Sequence, residues 1–234
     1  MMQSADTILD HLPQDSILKS FSPEDCADLF RHAVRRPLKK GEVLFNHGDP
    51  ADSMVIILDG VVKVSVFTEE GREIVLDYVG SGGILGEIAV LDGGPRAATV
   101  TAIEPVNILV FQRRDLLPAL KRNLDAAIKV VELLCRRLRR TNAMVQDNTG
   151  LAMGPKLARG ILRLMEDHGI TDQEERAIGF KINQADLGNY VSLSRENVNR
   201  QLREWAAEGL VRVDKGRIAV LDEALLREVA EYLD

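Results

Sequence analysis

The sequence predicts an α+β protein in which short antiparallel strands precede one long helix and a smaller, mainly helical region. Three observations lead to this fold class. Between residues 38 and 111, short β-branched runs are divided by Asp/Gly turns, as in an antiparallel sandwich or barrel. Over residues 117–145 the apolar period changes to seven. After residue 150, helical segments are followed by a strand–turn–strand hairpin.

Composition and cysteine positions exclude several classes of protein. The chain has 234 residues, of which 45% are hydrophobic and 28% charged, so it can bury a sizeable core. No apolar run approaches the ~20 residues that a membrane span requires, and the N-terminus lacks the apolar segment of a secretory signal. Cys26 and Cys135 are far apart in the sequence. This spacing excludes a disulfide framework, a zinc ribbon and a cysteine-ligated iron–sulfur cluster. We expect a soluble, cytoplasmic protein.

The net charge of −6 does not by itself exclude a nucleic-acid partner, because the charges are unevenly spread. Residues 113–140 carry nine Lys/Arg against three Asp/Glu. Residues 194–217 carry six against four. Local patches of this kind, and not the total, decide whether a protein binds nucleic acid.

The segment with period seven predicts a long helix that pairs with another helix. The series runs through Leu117, Leu124, Val131, Leu138 and Val145, with Ile128, Cys135 and Asn142 four residues after three of them. Such a seam needs a partner helix, and the chain has no second helix of this kind. The simplest partner is a second copy of the chain, in a homodimer. The run Asp147–Gly150 is predicted to break the helix and to act as a hinge.

Beyond residue 150 the pattern predicts a compact helical region. Helices are expected over Pro155–Asp167, Asn183–Tyr190 and Ser194–Glu208, the last of them capped by Ser194. A hairpin is expected over Val211–Val220 with its turn at Asp214-Lys215-Gly216, and a last helix from an Asp222 cap to Leu233.

A glycine-rich segment, Gly80–Ala102, carries groups suited to a phosphorylated ligand. Gly82, Gly83 and Gly86 allow close approach of the backbone. Glu87 supplies a carboxylate for sugar hydroxyls, and Arg96 a permanent, fork-shaped cation for phosphate. The alternative is a glycine-rich hairpin with a Glu–Arg pair on its surface.

The string Gly86-Glu87-Ile88-Ala89, followed by Arg96-Ala97-Ala98-Thr99, resembles the phosphate-binding cassette of cyclic-nucleotide-binding domains. The resemblance implies that Glu87 binds the ribose 2′-hydroxyl and Arg96 the cyclic phosphate. The backbone at Gly86, Ile88 and Ala89 would complete the cradle. Ala97 resembles the cyclic AMP type, since cyclic GMP sensors commonly place a hydroxyl there, whereas Leu85 departs from the aromatic residue frequent in the family. Val64 and Leu76 resemble apolar wall positions, which would also suit ordinary core residues.

Two residues late on the predicted long helix resemble base-contacting positions of the cyclic AMP receptor protein family. Thr141 and Asn142 stand where that family has a Thr followed by a small polar residue from the partner subunit. A carboxamide both donates and accepts hydrogen bonds, so Asn142 is compatible with adenine or guanine. The alternative role of Asn142 is to fix the register of the helix seam.

Residues Ile182–Leu202 have the pattern of a helix-turn-helix. Val198, Leu202 and Trp205 share one helical face. The opposite face carries Arg195, Glu196, Asn199 and Arg200, of which Arg suits guanine, Glu cytosine and Asn adenine in the major groove. The alternative is a solvated charged face. The Ser-Arg-Glu-x-Val-x-Arg string resembles the recognition helix of the same receptor family. The resemblance implies that the hairpin turn with Lys215 is the wing that contacts the DNA phosphates.

Taken over nearly the whole chain, these motifs identify a regulator similar to the cyclic AMP receptor protein (CRP/FNR) family, not an enzyme. The resemblance implies an N-terminal antiparallel β-roll (jelly-roll-like) at 1–115, a dimerisation helix at 116–147 and a winged helix-turn-helix domain at 148–234. It implies cAMP or cGMP as effector without a metal, double-stranded DNA with palindromic half-sites as ligand, and RNA polymerase as a further partner.

The sequence alone leaves two other hypotheses of function open. An enzyme acting on a cyclic nucleotide would need a metal cluster or a general base near the phosphate, and the cassette offers neither. A regulator of the same fold could instead respond to another effector such as a haem-bound gas, since haem ligation by His is compatible with the sequence.

Overall fold

The structure is a computed structural model that describes residues 8–10, 12–14, 16–172 and 175–232. The chain divides into two compact units. The N-terminal unit comprises Met1–Val66 with Asp77–Arg139, and the C-terminal unit comprises Phe67–Leu76 with Arg140–Asp234. Within the described ranges, none of the helices is both long enough and apolar enough to cross a membrane.

The elements follow the order that the sequence predicts, with additions at the N-terminus and between the later helices. The strands are β1 (Val34–Leu38), β2 (Val43–Phe45), β3 (Ser53–Asp59), β4 (Val62–Phe67), β5 (Glu73–Val79), β6 (Ile84–Leu85), β7 (Thr99–Ala102), β8 (Val106–Gln112), β9 (Gly169–Asp172), β10 (Glu175–Ile178), β11 (Val211–Asp214) and β12 (Arg217–Val220). The helices are α1 (Pro23–His32), α2 (Glu87–Asp92), α3 (Arg113–Arg122), α4 (Leu124–Gly150), α5 (Met153–His168), α6 (Gln184–Val191), α7 (Arg195–Ala207) and α8 (Glu223–Glu231), with a 3₁₀ turn at Ile17–Ser20.

The predicted antiparallel β-roll is confirmed as two four-stranded sheets, with strand orders β1-β8-β3-β6 and β2-β7-β4-β5. Strand β3 is buried on both faces. Val55 and Ile57 point into the core that the two sheets share. Met54 and Ile56 point to the other side, into a second core built with the helices. This double burial explains why the run is continuously apolar and does not alternate.

The second core joins β3 and β8 to helices α1, α3 and α4. Cys26 is a buried thiol in this core. Ser22 caps α1 by accepting a hydrogen bond from the Asp25 amide at 3.1 Å, and Pro23 occupies the first helical position. This N-terminal helix was not predicted.

The long helix begins later than its period suggested, because Asn123 separates α3 from α4. The backbone at Asn123 is extended and not helical, and the Asn123 side chain bonds the N-terminus of α1. Its Oδ1 accepts from the Ser22 amide at 2.7 Å and its Nδ2 donates to Asp25 at 2.6 Å. Leu117 therefore lies on α3 and packs against the second core. Its assignment to the helix seam was wrong.

The remaining apolar members of the seam lie on one exposed face of α4. Leu124, Ile128, Val131, Leu138 and Val145 are between 45% and 72% exposed. Cys135 and Asn142 are exposed as well. A soluble chain rarely leaves so long an apolar stripe in water.

The predicted break at Asp147–Gly150 is wrong, since α4 continues to Gly150 and the next helix begins at Met153. Asp147 is held inside the helix by two arginines one turn apart on α5. Arg159 donates to Asp147 Oδ1 at 2.9 Å, and Arg163 to Oδ2 at 2.6 Å. Because both carboxylate oxygens bond these arginines, the Asp147 side chain does not cap the helix or form a turn with the backbone, and the helix continues. The domain limits at 115 and 147 stay predictions, and they fall within α3 and α4.

The C-terminal unit contains the predicted helix-turn-helix, α6 and α7, and the hairpin β11–β12. This hairpin joins β10 and β9 in a four-stranded sheet of order β11-β12-β10-β9, and β9 and β10 were not predicted. Asp222 caps α8 by accepting from the Leu225 amide at 2.9 Å. The predicted end of this helix at Leu233 lies outside the described residues.

Candidate effector site and DNA-reading surface

The centre of the candidate effector site is the turn between β6 and α2, where the chain passes closely over Arg96. Gly86 has φ +83°, a conformation that glycine adopts at little cost. A Cβ on Gly86 would lie 2.3 Å from Arg96 Nη1 and 2.9 Å from the Ser53 carbonyl oxygen. Only glycine fits here, so the cassette motif has a steric basis.

Two other glycines of the segment serve the loop itself. A Cβ on Gly82 would lie 2.6 Å from Pro13, and one on Gly83 would lie 2.2 Å from Val79 Cγ1. Their amides bond the Ile57 and Gly80 carbonyls at 2.8 and 3.0 Å. At Gly82 and Gly83 the lack of a side chain thus makes room for protein atoms, and the expectation that these two glycines bring the backbone close to a ligand stays a prediction.

Glu87, the first residue of α2, is 2% exposed. Its Oε1 accepts a hydrogen bond from Arg137 Nη1 on α4. Arg137 Nη2 donates to the Ile84 carbonyl at 2.7 Å. Glu87 Oε2 is buried and has no hydrogen-bond partner among the described residues. A buried, unsatisfied carboxylate oxygen is costly unless a donor meets it, and a sugar hydroxyl is a donor of the right kind.

Arg96 is 5% exposed and is held by β3 and by an aromatic ring. Its Nη1 donates to the Ser53 carbonyl at 2.6 Å and its Nη2 to the Ser53 hydroxyl at 2.9 Å. The guanidinium carbon lies 3.5 Å from the centre of the Phe45 ring, a cation–π contact. Two of its five N–H donors are thus engaged, and the other three have no acceptor among the residues that the structure describes.

Burial lowers the pKa of Arg96, and the nearby carboxylates of Asp52, Asp49 and Glu87 oppose that shift. An arginine remains a cation under such conditions. The site therefore holds one positive group that is stripped of most of its water, which is the setting in which a charge-assisted bond to phosphate is strong.

The other predicted effector residues are placed as follows. Ile88 and Ala89 lie in the first turn of α2, whose amides have no acceptor within the helix. Ala97 is exposed beside Arg96, and Val64 is partly buried against the core between the sheets. Thr141 and Asn142 are exposed on α4, and Leu76 is partly buried on β5. These last three residues belong to the C-terminal unit.

The recognition helix α7 is positioned by its cap and by its apolar face. Ser194 accepts from the Asn197 amide at 3.2 Å, as its place before the helix predicts. Val198, Leu202 and Trp205 are buried. The predicted reading residues Arg195, Glu196 and Arg200 are exposed, and Asn199 is partly buried. The structure thus exposes three of the four residues, whereas Asn199 lies partly buried against Gln184 of α6.

The turn between α6 and α7 is tight for a steric reason. A Cβ on Gly188 would lie 2.6 Å from the Leu193 carbonyl oxygen, whose own amide donates back to the Gly188 carbonyl at 2.9 Å. Ser192 takes up the left-handed conformation that closes α6. The wing is a two-residue turn in which Lys215 (φ +46°) and Gly216 (φ +85°) both have positive φ, as its hairpin geometry requires. Lys215 is exposed at its tip.

Sequence reasoning missed the side chains that hold the predicted ones in place: Arg137, Ser53, Phe45 and Gln184. Arg137 precedes Thr141 by four residues, which places both on one face of α4; this spacing was the one usable signal. Ser53 and Phe45 are distant from Arg96 in sequence and come to it only through the sheet pairing. Across the described ranges, no cluster of three or more His, Cys, Asp or Glu residues could bind a metal ion.

Two family models match this chain. The model described as cyclic nucleotide-binding domain matches residues 35–123, and the model described as Crp-like helix-turn-helix domain matches residues 155–229. The first match contains the whole turn from Gly86 to Arg96, and the second contains both helices of the helix-turn-helix and the wing.

Relatives with assigned functions match over almost the full chain. The CRP-like cAMP-activated global transcriptional regulator of Mycobacterium tuberculosis is 26% identical, covering 92% of this chain and 96% of the relative. The cyclic AMP receptor protein of Thermus thermophilus is 28% identical with the same coverage. Among solved structures, the c-di-GMP responsive global regulator CLP of Xanthomonas campestris shares the fold, with a TM-score of 0.71 at 19% identity over 86% of this chain and 100% of that one. The chain belongs to the CRP/FNR family of DNA-binding transcriptional regulators, with a cyclic nucleotide-binding domain followed by a Crp-like helix-turn-helix domain.

Proposed function

We propose that the protein is a homodimeric, cytoplasmic transcription factor whose binding to a palindromic operator is controlled by a cyclic nucleotide, cAMP in preference to cGMP. The observation that carries the effector proposal is the pair of buried, incompletely satisfied charges at the β6–α2 turn. Glu87 retains one buried oxygen with no partner among the described residues. Arg96 has three N–H donors with no acceptor in the described part of the chain, and its Nη1 lies close to Gly86.

A cyclic nucleotide matches this donor and acceptor set. Glu87 Oε2 would accept from the ribose 2′-hydroxyl, and Arg96 would donate to the cyclic phosphate together with the amides of Ile88 and Ala89. Arg137 already neutralises the other Glu87 oxygen, so the nucleotide would not have to displace it. Val64 and Leu76 would supply apolar wall, and Thr141 and Asn142 would contact the base.

The test of the effector is titration calorimetry of the purified protein with cAMP, cGMP and cyclic di-GMP, the last because one structure of this fold is named for it. We expect cAMP to bind more tightly than the other two. Ala97→Thr, which adds the hydroxyl typical of cyclic GMP sensors, is expected to raise cGMP affinity relative to cAMP. Heat signals for cyclic di-GMP alone would overturn the proposed effector. An ultraviolet–visible spectrum with a haem band would do the same.

The exposed stripe on α4 supports a homodimer. Two α4 helices packed along Leu124, Ile128, Val131, Leu138 and Val145 would remove this stripe from water. In a parallel, in-register pair the two Cys135 thiols would face each other across the seam.

Oxidative cross-linking tests this packing with residues that the chain already has. Cys26 is buried in the N-terminal core and Cys135 is exposed, so a disulfide-linked dimer must form through Cys135. We expect mild oxidation to give such a dimer, and Cys135→Ser to abolish it. Moving the thiol off the seam, in Cys135→Ser/Arg136→Cys, is the matched control and should cross-link poorly. Equal cross-linking at both positions would argue against this seam.

In the dimer, two copies of α7 would read two half-sites about one helical turn apart, as in other two-fold helix-turn-helix proteins. Arg195, Glu196, Asn199 and Arg200 would face base edges and Lys215 a phosphate. The family resemblance suggests a TGTGA-like half-site and contact with RNA polymerase. Selection of bound sequences from a random DNA library tests the first of these, with a palindrome as the expected result.

A further inference from the structure

The short helix α2 of the candidate effector site is bonded by an arginine at each end. Its first residue, Glu87, accepts a hydrogen bond from Arg137. In its last turn, the Val90 carbonyl accepts from Arg113 Nε at 2.7 Å. Arg113 is the first residue of α3 and is partly buried. Because a helix of six residues is not stable by itself, its contacts with the rest of the unit decide where it lies.

The Arg113 guanidinium lies at the end of α2 where the backbone carbonyls lack partners within the helix. A cation is favourable at this end. Gly93, which follows α2 in the left-handed conformation, begins the short loop that leads to Arg96. A Cβ on Gly93 would lie 3.7 Å from Arg113 Nη2. The guanidinium is therefore next to both the helix end and the start of the loop.

The backbone of Arg113 is bonded to the segment that holds Arg96. The Arg113 amide donates to the Asp52 carbonyl at 2.6 Å. The next residue, Ser53, accepts from both Nη groups of Arg96, through its carbonyl and its hydroxyl. Arg113 therefore joins the two parts of the candidate phosphate site, which are α2 with its N-terminal amides and the start of β3 with the guanidinium that it holds.

We propose that Arg113 is a positioning residue for the phosphate of the cyclic nucleotide, and that it acts through the hydrogen bond from its Nε to Val90. The inference rests on the proposed effector site. In that site the N-terminal amides of α2 and the Arg96 guanidinium bind the same phosphate group, so the distance between helix and guanidinium has to be fixed. Arg113 fixes this distance from the opposite end of α2 and does not contact the nucleotide.

Two substitutions of equal side-chain length test the hydrogen bond. Arg113→Met places a methyl group where Nε stands, whereas Arg113→Gln places an N–H donor there. Because Arg113 is only partly buried, neither change is expected to unfold the protein. In calorimetric titration with cAMP, we expect Arg113→Met to bind about fivefold more weakly, which corresponds to roughly one hydrogen bond. Arg113→Gln should bind almost as tightly as the wild type.

The neighbouring arginine provides a matched control. The Arg114 side chain is 84% exposed, so Arg114→Met removes an arginine from the same turn of α3 without changing a contact of α2. We expect this variant to bind cAMP with wild-type affinity.

A second measurement distinguishes the positioning of the phosphate from a general loss of structure. In the two phosphorothioate analogues of cAMP, sulfur replaces one or the other exocyclic phosphate oxygen and accepts hydrogen bonds weakly. In the wild type we expect both analogues to bind more weakly than cAMP, since one oxygen would face α2 and the other Arg96. In Arg113→Met the bonds from α2 are already weakened. The affinity ratio of cAMP to one analogue should therefore fall toward one, and the ratio to the other analogue should stay as in the wild type.

A general loss of structure would lower all three affinities by the same factor and leave both ratios unchanged. That result, or wild-type cAMP affinity in Arg113→Met, would overturn the proposal. Equal losses in Arg113→Met and Arg113→Gln would overturn it too, because the donor at the position of Nε is what Arg113→Gln retains. A wild-type protein that does not bind cAMP would instead overturn the proposed effector, so titration of the wild type distinguishes the two failures.

Discussion

The cyclic nucleotide-binding unit and the helix-turn-helix unit place their functional charges in opposite environments. Glu87 and Arg96 are 2% and 5% exposed and are bonded to Arg137 and Ser53. Arg195, Glu196 and Arg200 lie exposed on α7. A buried charge that loses its partner costs several kcal/mol, whereas an exposed one costs little. Substitutions in the first unit should therefore affect both folding and ligand binding, and those on α7 DNA binding alone.

The substitution with the largest expected effect tests whether the loss of stability depends on how buried a charge is or on which unit carries it. Asp147 lies in the C-terminal unit but is 3% exposed and bonded by Arg159 and Arg163. Asp147→Ala would leave two cations without their carboxylate, and we expect the free energy of unfolding to fall by about 3 kcal/mol. Urea denaturation of the full chain measures it. A loss as small as that of an exposed residue, below about 0.5 kcal/mol, would show that burial is not the deciding factor.

The second-largest expected effect is a loss of effector affinity. Arg96→Ala is expected to weaken cAMP binding by at least ~2 kcal/mol, because the phosphate loses its buried cation. Calorimetric titration measures the change, with Arg31→Ala, an exposed arginine of the same unit, as control. Arg96→Lys keeps the charge without the fork and should lie between the two. An unchanged dissociation constant in folded Arg96→Ala protein would remove Arg96 from the site.

A third substitution tests the exposed side of the comparison. Arg200→Ala should cost about 1–3 kcal/mol at one position of each half-site, while the free energy of unfolding stays within about 0.5 kcal/mol. Arg200→Lys should keep general DNA affinity and lose the preference at that position. If Arg200→Ala weakens binding to all sequences equally, the residue contacts phosphate and not a base.

The smallest expected effect is a pH dependence in the N-terminal unit. Hydrogen bonds from Arg122 and then Asn123 lower the pKa of Asp25 from 3.8 to about 2. A lowered pKa means that the native state favours the charged carboxylate. Its contribution to stability is thus present above about pH 4 and is lost as the pH falls toward 2. Asp25→Asn should remove this part of the acid sensitivity, and Arg122→Gln should remove only a share of it, because Asn123 still bonds the carboxylate. The double variant should remove no more than Asp25→Asn alone. Additive losses would mean that the two side chains act separately.

The parts of the fold that depend on local rules could be predicted from the sequence. The Ser194 cap, the Asp222 cap and the Lys215-Gly216 turn each follow from a few neighbouring residues, and each was confirmed. The break at Asn123 and the continuation of α4 past Asp147 could not be predicted, because distant side chains decide both. Asn123 bonds the start of α1, and Asp147 bonds α5.

The same limit applies to the candidate site. The cassette motif located Glu87 and Arg96, but in the cluster Arg136-Arg137-Leu138-Arg139-Arg140 only the four-residue spacing to Thr141 distinguishes Arg137, and it does not point to Glu87. The fold assigns them different partners: Arg137 bonds Glu87, and Arg140 bonds Asp167 on α5. Side chains that hold a site together through the tertiary structure have no sequence signature of their own.

Control of DNA binding by the effector site can be measured as the difference in cAMP affinity with and without operator DNA. Coupling between two sites is reciprocal, so operator should tighten cAMP binding by the same factor by which cAMP tightens operator binding, typically ~1–3 kcal/mol. We expect Asn142→Ala to reduce this factor more than it reduces cAMP affinity itself, since Arg96 and Glu87 would still hold the phosphate and ribose. Equal cAMP affinity with and without operator, in a protein that binds both, would contradict the account.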